Sequence, residues 1–441
     1  MAETSVHGAI SRGSSGDRPT RTDPDQPPPP PPSRRSGSPS DLVSALPDAV
    51  IHRIFSFLPL EDVVKTSALS RRWRSTWTSA TDLVFDGDIE GRPRGTLAFS
   101  FLVDGVLDQC TSPSVKRFHV TGFRYDKPYQ PKVDLWLRFA VRRRVEDLRL
   151  WLTNHSPIFY LLPGILYSLS WLVRLDVRSC RFSLGRAVRW PRLKVLSIRN
   201  AELSDDFLGR IFRGCPVLES LELHGCWGVE NIVIDSTSVK ELVLVHGTFS
   251  NPKKIWAPHL LLLRVLGRRH HLNLIRLRLD DISSLVEAEL DFDIVTLDKW
   301  MCCELLEETF EKLHRVPTIT IGAWCLEFML DEGCFNFDEE DFLCSRKGNF
   351  QCLAKHLKRV EIIGPEADSF GSKHLLALIK FLLGDALVLE KLIIKAKLPT
   401  RHGQKGFEAA VLSKLFGVSK NVLSCRRASK HAEVIFDCPS E

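Results

Sequence analysis

From residue 145 onward the chain repeats one apolar spacing, Leu/Val-x-x-Leu-x-Leu. It occurs at Val145-x-x-Leu148-x-Leu150, Leu172-x-x-Leu175-x-Val177, Leu193-x-x-Leu196-x-Ile198, Leu218-x-x-Leu221-x-Leu223, Val239-x-x-Leu242-x-Leu244 and Leu260-x-x-Leu263-x-Val265. Successive copies start 27, 21, 25, 21 and 21 residues apart. Apolar residues two apart suit a short strand with one buried face, and a return at this period lays each strand parallel to the last. No such unit buries its apolar face alone, so stacking must create the core. The pattern therefore predicts an α/β fold: a solenoid of short parallel strands plus helices. Weaker copies follow at Leu285-x-x-Ala288-x-Leu290, Val316-x-x-Ile319-x-Ile321, Leu357-x-x-Val360-x-Ile362 and Leu389-x-x-Leu392-x-Ile394. Their starts are 31 or more residues apart, so the solenoid is expected to be irregular, with insertions bulging from one face or edge.

The period is similar to that of leucine-rich repeats, whose ninth position holds Asn or Cys bonded to the backbone of the turn. Counted from Leu172 and Leu218, that position is Cys180 and Cys226; elsewhere it is Ala201 or Gly247, a degenerate ladder. Both cysteines are expected to be structural. The resemblance implies a concave strand face that receives a protein substrate. Its outward positions include Arg149, Trp151, Asp176, Arg178, Ser197, Arg199, Glu222, His224, Val243 and Val245, with Trp151 and His224 the first to test.

Upstream, residues 44–77 read as three short helices. Pro47 suits a first helical position, Val50, Ile51, Ile54, Phe55 and Leu58 recur with helical period, and Pro59 stops the run. Leu60, Val63, Val64, Ala68 and Leu69 form the next apolar face, and Ser70 can cap a third helix carrying Trp73 and Trp77. So small a unit exposes more apolar surface than it can bury. Leu46-Pro47-Asp48, Ile54-Phe55-Ser56-Phe57-Leu58-Pro59 and Leu69-Ser70-Arg71-Arg72-Trp73-Arg74 closely resemble the F-box, in particular that of the large plant families. The resemblance implies docking on a Skp-type adaptor and, through it, a cullin-RING ubiquitin ligase. By the same resemblance Leu46, Pro47, Ile54, Phe55 and Leu58 would face the adaptor. Val63, Val64, Leu69 and Trp73 would divide between that surface and the core of the knot, in a proportion the sequence leaves open.

Toward the other end, His356-Leu357-Lys358-Arg359-Val360-Glu361-Ile362, Leu378 to Leu383, Leu389-Glu390-Lys391-Leu392 and Ala428 to Phe436 resemble the FBD region that accompanies plant F-boxes. Physically this reads as strand, helix, strand closing the end of the solenoid. The expected organisation is a Pro/Ser/Arg-rich disordered arm over 1–40, with a run of prolines from Pro27 to Pro32, then an F-box over 41–80. A linker and first irregular turn follow over 81–140, then repeats over 141–345 and an FBD-like region over 346–441.

Charge is uneven. Residues 280–345 hold 18 Asp and Glu against 3 Lys and Arg, on a chain of formal net charge +6. Asp331-Glu332, Asp338 to Asp341 and Glu304, Glu307, Glu308 and Glu311 could steer a basic substrate, but a solvated insertion is the commoner meaning of such a run. Arg142-Arg143-Arg144 and Arg268-Arg269-His270-His271 lack an interleaved aromatic platform, so solvated edges are expected and no nucleic acid.

Twelve cysteines occur without a Cys-x-x-Cys pair, which predicts reduced thiols and no metal. The longest apolar run, Ile158 to Val173, is broken by Pro163-Gly164 and is too short to span a bilayer, so an intracellular protein of nucleus or cytoplasm is expected. Phosphate-binding glycine loops, a Gly-x-Ser-x-Gly elbow and a His-Glu-x-x-His helix are absent, leaving no cofactor and no catalytic centre to expect. The function these signs support is the substrate-recognition subunit of a Skp/cullin/F-box ligase, with an F-box scaffold outside any cullin ligase as the alternative.

Overall fold

The computed structural model describes residues 45–55, 57–58, 60–89, 92–154, 158–245, 254–267, 278–292, 311–322, 355–363, 373–395 and 416–437. The chain divides into two units, Met1–Leu46 and Pro47–Glu441; of the first only Ala45 and Leu46 are described, and every element named below belongs to the second. The proline-rich arm, the His270 cluster and the acidic run from Asp331 to Asp341 lie outside the described residues, as do Glu304, Glu307 and Glu308.

Three short helices open the second unit: α1 Asp48–Phe55, α2 Leu60–Lys65 and α3 Trp73–Thr76. Pro47 stands one residue before α1, where its carbonyl accepts from Val50 and Ile51 at 2.9 and 3.1 Å. The α2 helix tightens into a 3-10 turn at Thr66–Ala68, whose Thr66 hydroxyl donates back to the Val63 carbonyl at 2.6 Å. The Ser70 hydroxyl accepts from the Trp73 N–H at 3.2 Å and so starts α3 as a cap would.

Among the described residues downstream, the fold is organised by one thirteen-stranded parallel sheet. In chain order its strands are β1 Asp82–Asp86, β2 Arg117–Arg124, β3 Asp147–Thr153, β4 Arg174–Arg178, β5 Val195–Arg199, β6 Ser220–His224 and β7 Glu241–Val245. They continue as β8 Leu262–Gly267, β9 Glu287–Phe292, β10 Thr318–Gly322, β11 Arg359–Ile363, β12 Lys391–Lys395 and β13 Glu433–Asp437. Sequence order is spatial order throughout, which is the arrangement of a repeat solenoid.

The repeat spacing sets the register. Leu148 stands beside Leu175, then Leu196, Leu221, Leu242 and Leu263, continued by Ala288, Ile319, Val360 and Leu392. All ten are buried, as are the residues three places earlier, from Val145 to Leu389. Two unbroken apolar ladders thus line the inner side of the sheet. Over them pack the helices α4 Thr96–Gln109, α5 Gln130–Arg142, α6 Asp205–Gly214 and α7 Lys373–Asp385, with a small parallel sheet of Asn231–Val233, Lys254–Trp256 and Arg278–Leu279. The stretch 81–140 gives two full strands, β1 and β2, with α4 and α5 between and after them, where a linker and one irregular turn were expected. Likewise the C-terminal region adds a further strand, β13, beyond the expected strand, helix and strand.

Each early turn leaves its strand the same way. Ser179, Asn200 and Gly225, one residue past β4, β5 and β6, have φ of 56°, 49° and 59°. Two residues past the same strand ends stand Cys180, Ala201 and Cys226. The Cys180 thiol donates to the Arg178 carbonyl at 3.4 Å and the Cys226 thiol to the Ile198 carbonyl at 3.3 Å. Burial pushes the Cys226 thiol up to about 12 and the Cys180 thiol higher still, so both stay protonated at neutral pH.

Candidate functional site

Two surfaces offer themselves: the helix trio and the open face of the sheet. In the trio, Ile51, Phe55, Leu60, Val63, Trp73 and Trp77 are buried, with the Phe55 and Trp73 rings edge to face at 5.8 Å. Phe55 is 6% exposed and so lies inward, which corrects its assignment to the adaptor-facing surface. The roles the sequence left undivided are now separate: Val63 and Trp73 belong to the core, Val64 is half-buried, and Leu69 is 60% exposed. Leu46 and Ile54 are half-buried, and Pro47 and Leu58 exposed. Two further exposed residues were not assigned to that surface from the sequence, Val50 and Phe57, the latter 70% exposed with the Arg53 guanidinium 4.7 Å over its ring. Phe57 lies two residues past Phe55, the last residue of α1, and is exposed where Phe55 is buried. The trio therefore has a finished core and a second apolar set, Val50, Phe57, Leu58 and Leu69, left in solvent.

This trio is continuous with the solenoid. His52 Nε2 pairs with Ser79 Oγ at 3.0 Å, Glu61 forms an ion pair with Arg94, and Trp77, Ala80 and Leu83 run as one buried series from α3 into β1.

On the open face, side chains alternate with the buried ladders, and the register lines up the positions expected from the spacing, of which Asp176, Ser197 and Val243 are themselves buried. Arg149, Asp176, Ser197, Glu222 and Val243 stand side by side on adjacent strands; Trp151, Arg178, Arg199, His224 and Val245 form the neighbouring row. Many of them are partners of each other. Asp176 is 4% exposed; it receives the Trp151 indole N–H at 2.7 Å and meets Arg149 at 3.1 Å and Arg199 at 3.4 Å. The two guanidiniums lie 4.9 and 5.0 Å from the Trp151 ring, a cation-π arrangement. Arg199 also reaches Glu222 at 3.3 Å and His224 Nδ1 at 3.0 Å. Arginine can only donate, so Nδ1 accepts and the imidazole proton sits on Nε2, which donates to Glu222 at 3.2 Å. That hydrogen bond, with help from Ser197 and Arg199 and against burial, holds the Glu222 carboxyl below its usual range. His119 continues the row on β2, 3.0 Å from Asp147; the repeat spacing does not reveal it, because its turn carries Phe118 where later turns carry leucine.

Three family models match the chain: the F-box domain over residues 43–83, the LRR repeats of the FBD-associated F-box protein At5g56370 over 133–285, and FBD over 347–394. The chain is similar to the F-box/LRR-repeat protein At3g03360 of Arabidopsis thaliana, 31% identical over 310 residues, covering 66% of this chain and 60% of that one. It is similar to the F-box protein At5g03100 of the same plant, 28% identical over 312 residues, 67% of this chain and 93% of the relative. The putative F-box protein At1g49610, also from Arabidopsis, is 31% identical over 307 residues, which cover 66% of this chain and 73% of the relative. The chain belongs to the F-box/LRR-repeat family.

In family terms the trio is the F-box and the sheet is the LRR array, and together they make a protein-interaction module. The cluster at Trp151 is built to hold shape: its charges are consumed internally. Arg174 and Arg178 on β4 differ, since both are exposed and neither guanidinium has an ion-pair partner among the described residues. Of the basic run at Arg142, Arg143 donates to the Cys110 carbonyl at 3.0 Å and lies over Phe139, and Arg144 adopts φ of 53° in the turn into β3, so two of the three serve the fold. Among the described residues no three His, Cys, Asp or Glu side chains converge as metal ligands would.

Proposed function

We propose that this protein is the substrate-receiving subunit of a Skp/cullin/F-box ubiquitin ligase of the nucleus or cytoplasm, docking the adaptor through the F-box and a protein substrate through the LRR array. The observation that carries the reading is the apolar set Val50, Phe57, Leu58 and Leu69, exposed on a trio whose own core is already complete. Large apolar side chains left exposed beside a closed core suit a partner surface, and the family resemblance supplies a Skp-type adaptor as that partner. The receptor itself breaks no bond. Tethering substrate and ubiquitin-carrying enzyme to one scaffold raises the local concentration of a substrate lysine, and the gain is largest when the tether is stiff. The buried series Trp77, Ala80 and Leu83 and the Glu61–Arg94 pair supply that stiffness between adaptor-docking and substrate-docking parts.

The test is co-expression of the full chain with a Skp-type adaptor and a cullin, comparing wild type with Phe57→Ala, Leu69→Ala. Both residues are exposed, so circular dichroism should show an unchanged fold. Adaptor and cullin recovered in stoichiometric amount with wild type and lost with the variant support the reading. Recovery of adaptor without cullin would leave an F-box scaffold outside a cullin ligase, and recovery of neither would refute both.

A further inference from the structure

The open face is electrically polarised along the line of strands. At β4, Asp176 is fully engaged by Arg149, Arg199 and Trp151, while Arg174 and Arg178 on either side of it stand exposed without an ion-pair partner among the described residues. At β8 and β9 the balance reverses. One guanidinium, Arg264, serves two carboxylates, Glu241 at 3.3 Å and Glu289 at 2.9 Å, and the half-buried Glu287 has no ion-pair partner among the described residues. Burial above all, and then the neighbouring carboxylates of Asp291, Glu287 and Glu361, raise Glu289 despite Arg264. Between the two poles the same rows hold Ser197, Arg199, Glu222 and His224, whose charged members pair with one another, and then Val243 and Val245 on β7.

We propose that this face holds an extended peptide segment lying across the strands, acidic over Arg174 and Arg178, apolar over Val243 and Val245, and basic over Glu287 and Glu289. Its length follows from geometry. From β4 to β9 is five strand steps, about 24 Å at the usual spacing of about 4.8 Å. An extended chain rises about 3.4 Å per residue, so about seven residues separate the acidic and basic ends. Opposite charges at both ends fix the direction in which the segment lies, and between them Arg199, Glu222 and His224 already pair with one another, leaving Val243 and Val245 to face an apolar middle. The proposal rests on the reading of the LRR array as the substrate-receiving part, but not on the F-box binding its adaptor.

The probes are two fluorescein-labelled peptides of one composition. One is Asp-Asp-Ser-Leu-Val-Ser-Gly-Lys-Arg; the other interleaves the same charges along its length. Fluorescence anisotropy with the full chain should show the first binding at least tenfold tighter than the second. That preference should vanish in Arg174→Ala, Arg178→Ala, whose exposed side chains hold no part of the fold, and shrink as salt is raised. Equal affinities for the two peptides, a preference that survives the double substitution, or no binding of either at millimolar concentration would overturn the proposal. Loss of adaptor co-purification alongside a retained peptide preference would sink the ligase reading and leave this one standing.

Discussion

The indole Nε1 of Trp151 on β3 donates to Asp176 Oδ1 on β4 at 2.7 Å, and this one carboxylate also neutralises Arg149 and Arg199. A carboxylate so deeply set on an otherwise open face is tolerable only because three donors surround it. Asp176→Leu should therefore cost about 2–4 kcal/mol in urea unfolding, since it strands the Arg149 guanidinium and the Trp151 indole N–H and leaves Arg199 only Glu222 and His224. Asp176→Asn keeps an acceptor for Trp151 and should cost less. Equal losses in the two variants would mean that charge neutralisation contributes nothing.

The helix trio separates stability from docking. Phe55→Ala and Trp73→Ala remove rings from a closed core and should each destabilise by about 3–5 kcal/mol. Phe57→Ala and Leu69→Ala act on exposed side chains and should stay within about 0.5 kcal/mol of wild type. Thermal unfolding of the four variants checks the division, and a Phe55→Ala protein as stable as wild type would return that ring to the surface.

Acid should loosen the open face through Glu222. Its carboxyl is depressed in the folded chain, chiefly by the hydrogen bond from His224. A depressed carboxylate contributes stability that is fully present above its unfolded value, about 4.3, and is lost as pH falls through the lower folded value. Urea midpoints measured from pH 6 down to pH 3 should fall less steeply at the acid end in Glu222→Gln than in wild type. A parallel acid limb in the two proteins would mean that the carboxyl is not depressed.

How far the fold was legible in the sequence follows from what each signal encodes. Burial of alternate strand residues is written directly into Leu-x-x-Leu-x-Leu, so that spacing alone specifies the register of β3 to β12. Strands β1 and β2 obey the same rule at Ala80-x-x-Leu83-x-Phe85 and Val115-x-x-Phe118-x-Val120, all buried, but aromatic rings replace leucines and the helices α4 and α5 stretch the period beyond recognition. The open-face positions were legible for the same reason as the ladders, since they alternate with them. Their partnerships were not: Trp151 and Asp176 lie 25 residues apart and Arg199 and Glu222 23, and only the folded register joins them. In the F-box, helical period groups Val50, Ile51, Ile54, Phe55 and Leu58 but does not say which of them the knot buries, and it passes over Phe57 because that residue lies past the end of α1.

Two glycines of α6 should respond oppositely to the same added methyl. A Cβ at Gly209 meets nothing within 4 Å, and a helix-interior glycine costs its helix conformational entropy. Gly209→Ala should therefore stabilise by about 0.5–1 kcal/mol. At Gly214 the last turn of α6 runs against the loop before β5: the Trp190 N–H donates to the Gly214 carbonyl at 2.9 Å, and an added Cβ would sit 2.1 Å from the Val188 carbonyl oxygen. Backbone cannot swing aside as a flexible side chain can, so Gly214→Ala must push α6 off the loop and expose part of the packing around Trp190, whose indole N–H donates to the Leu166 carbonyl at 2.6 Å. The cost should be about 1–3 kcal/mol. Differential scanning calorimetry should move the melting temperature up for Gly209→Ala and down for Gly214→Ala, and a downward shift in both would mean that helix propensity is not what limits α6.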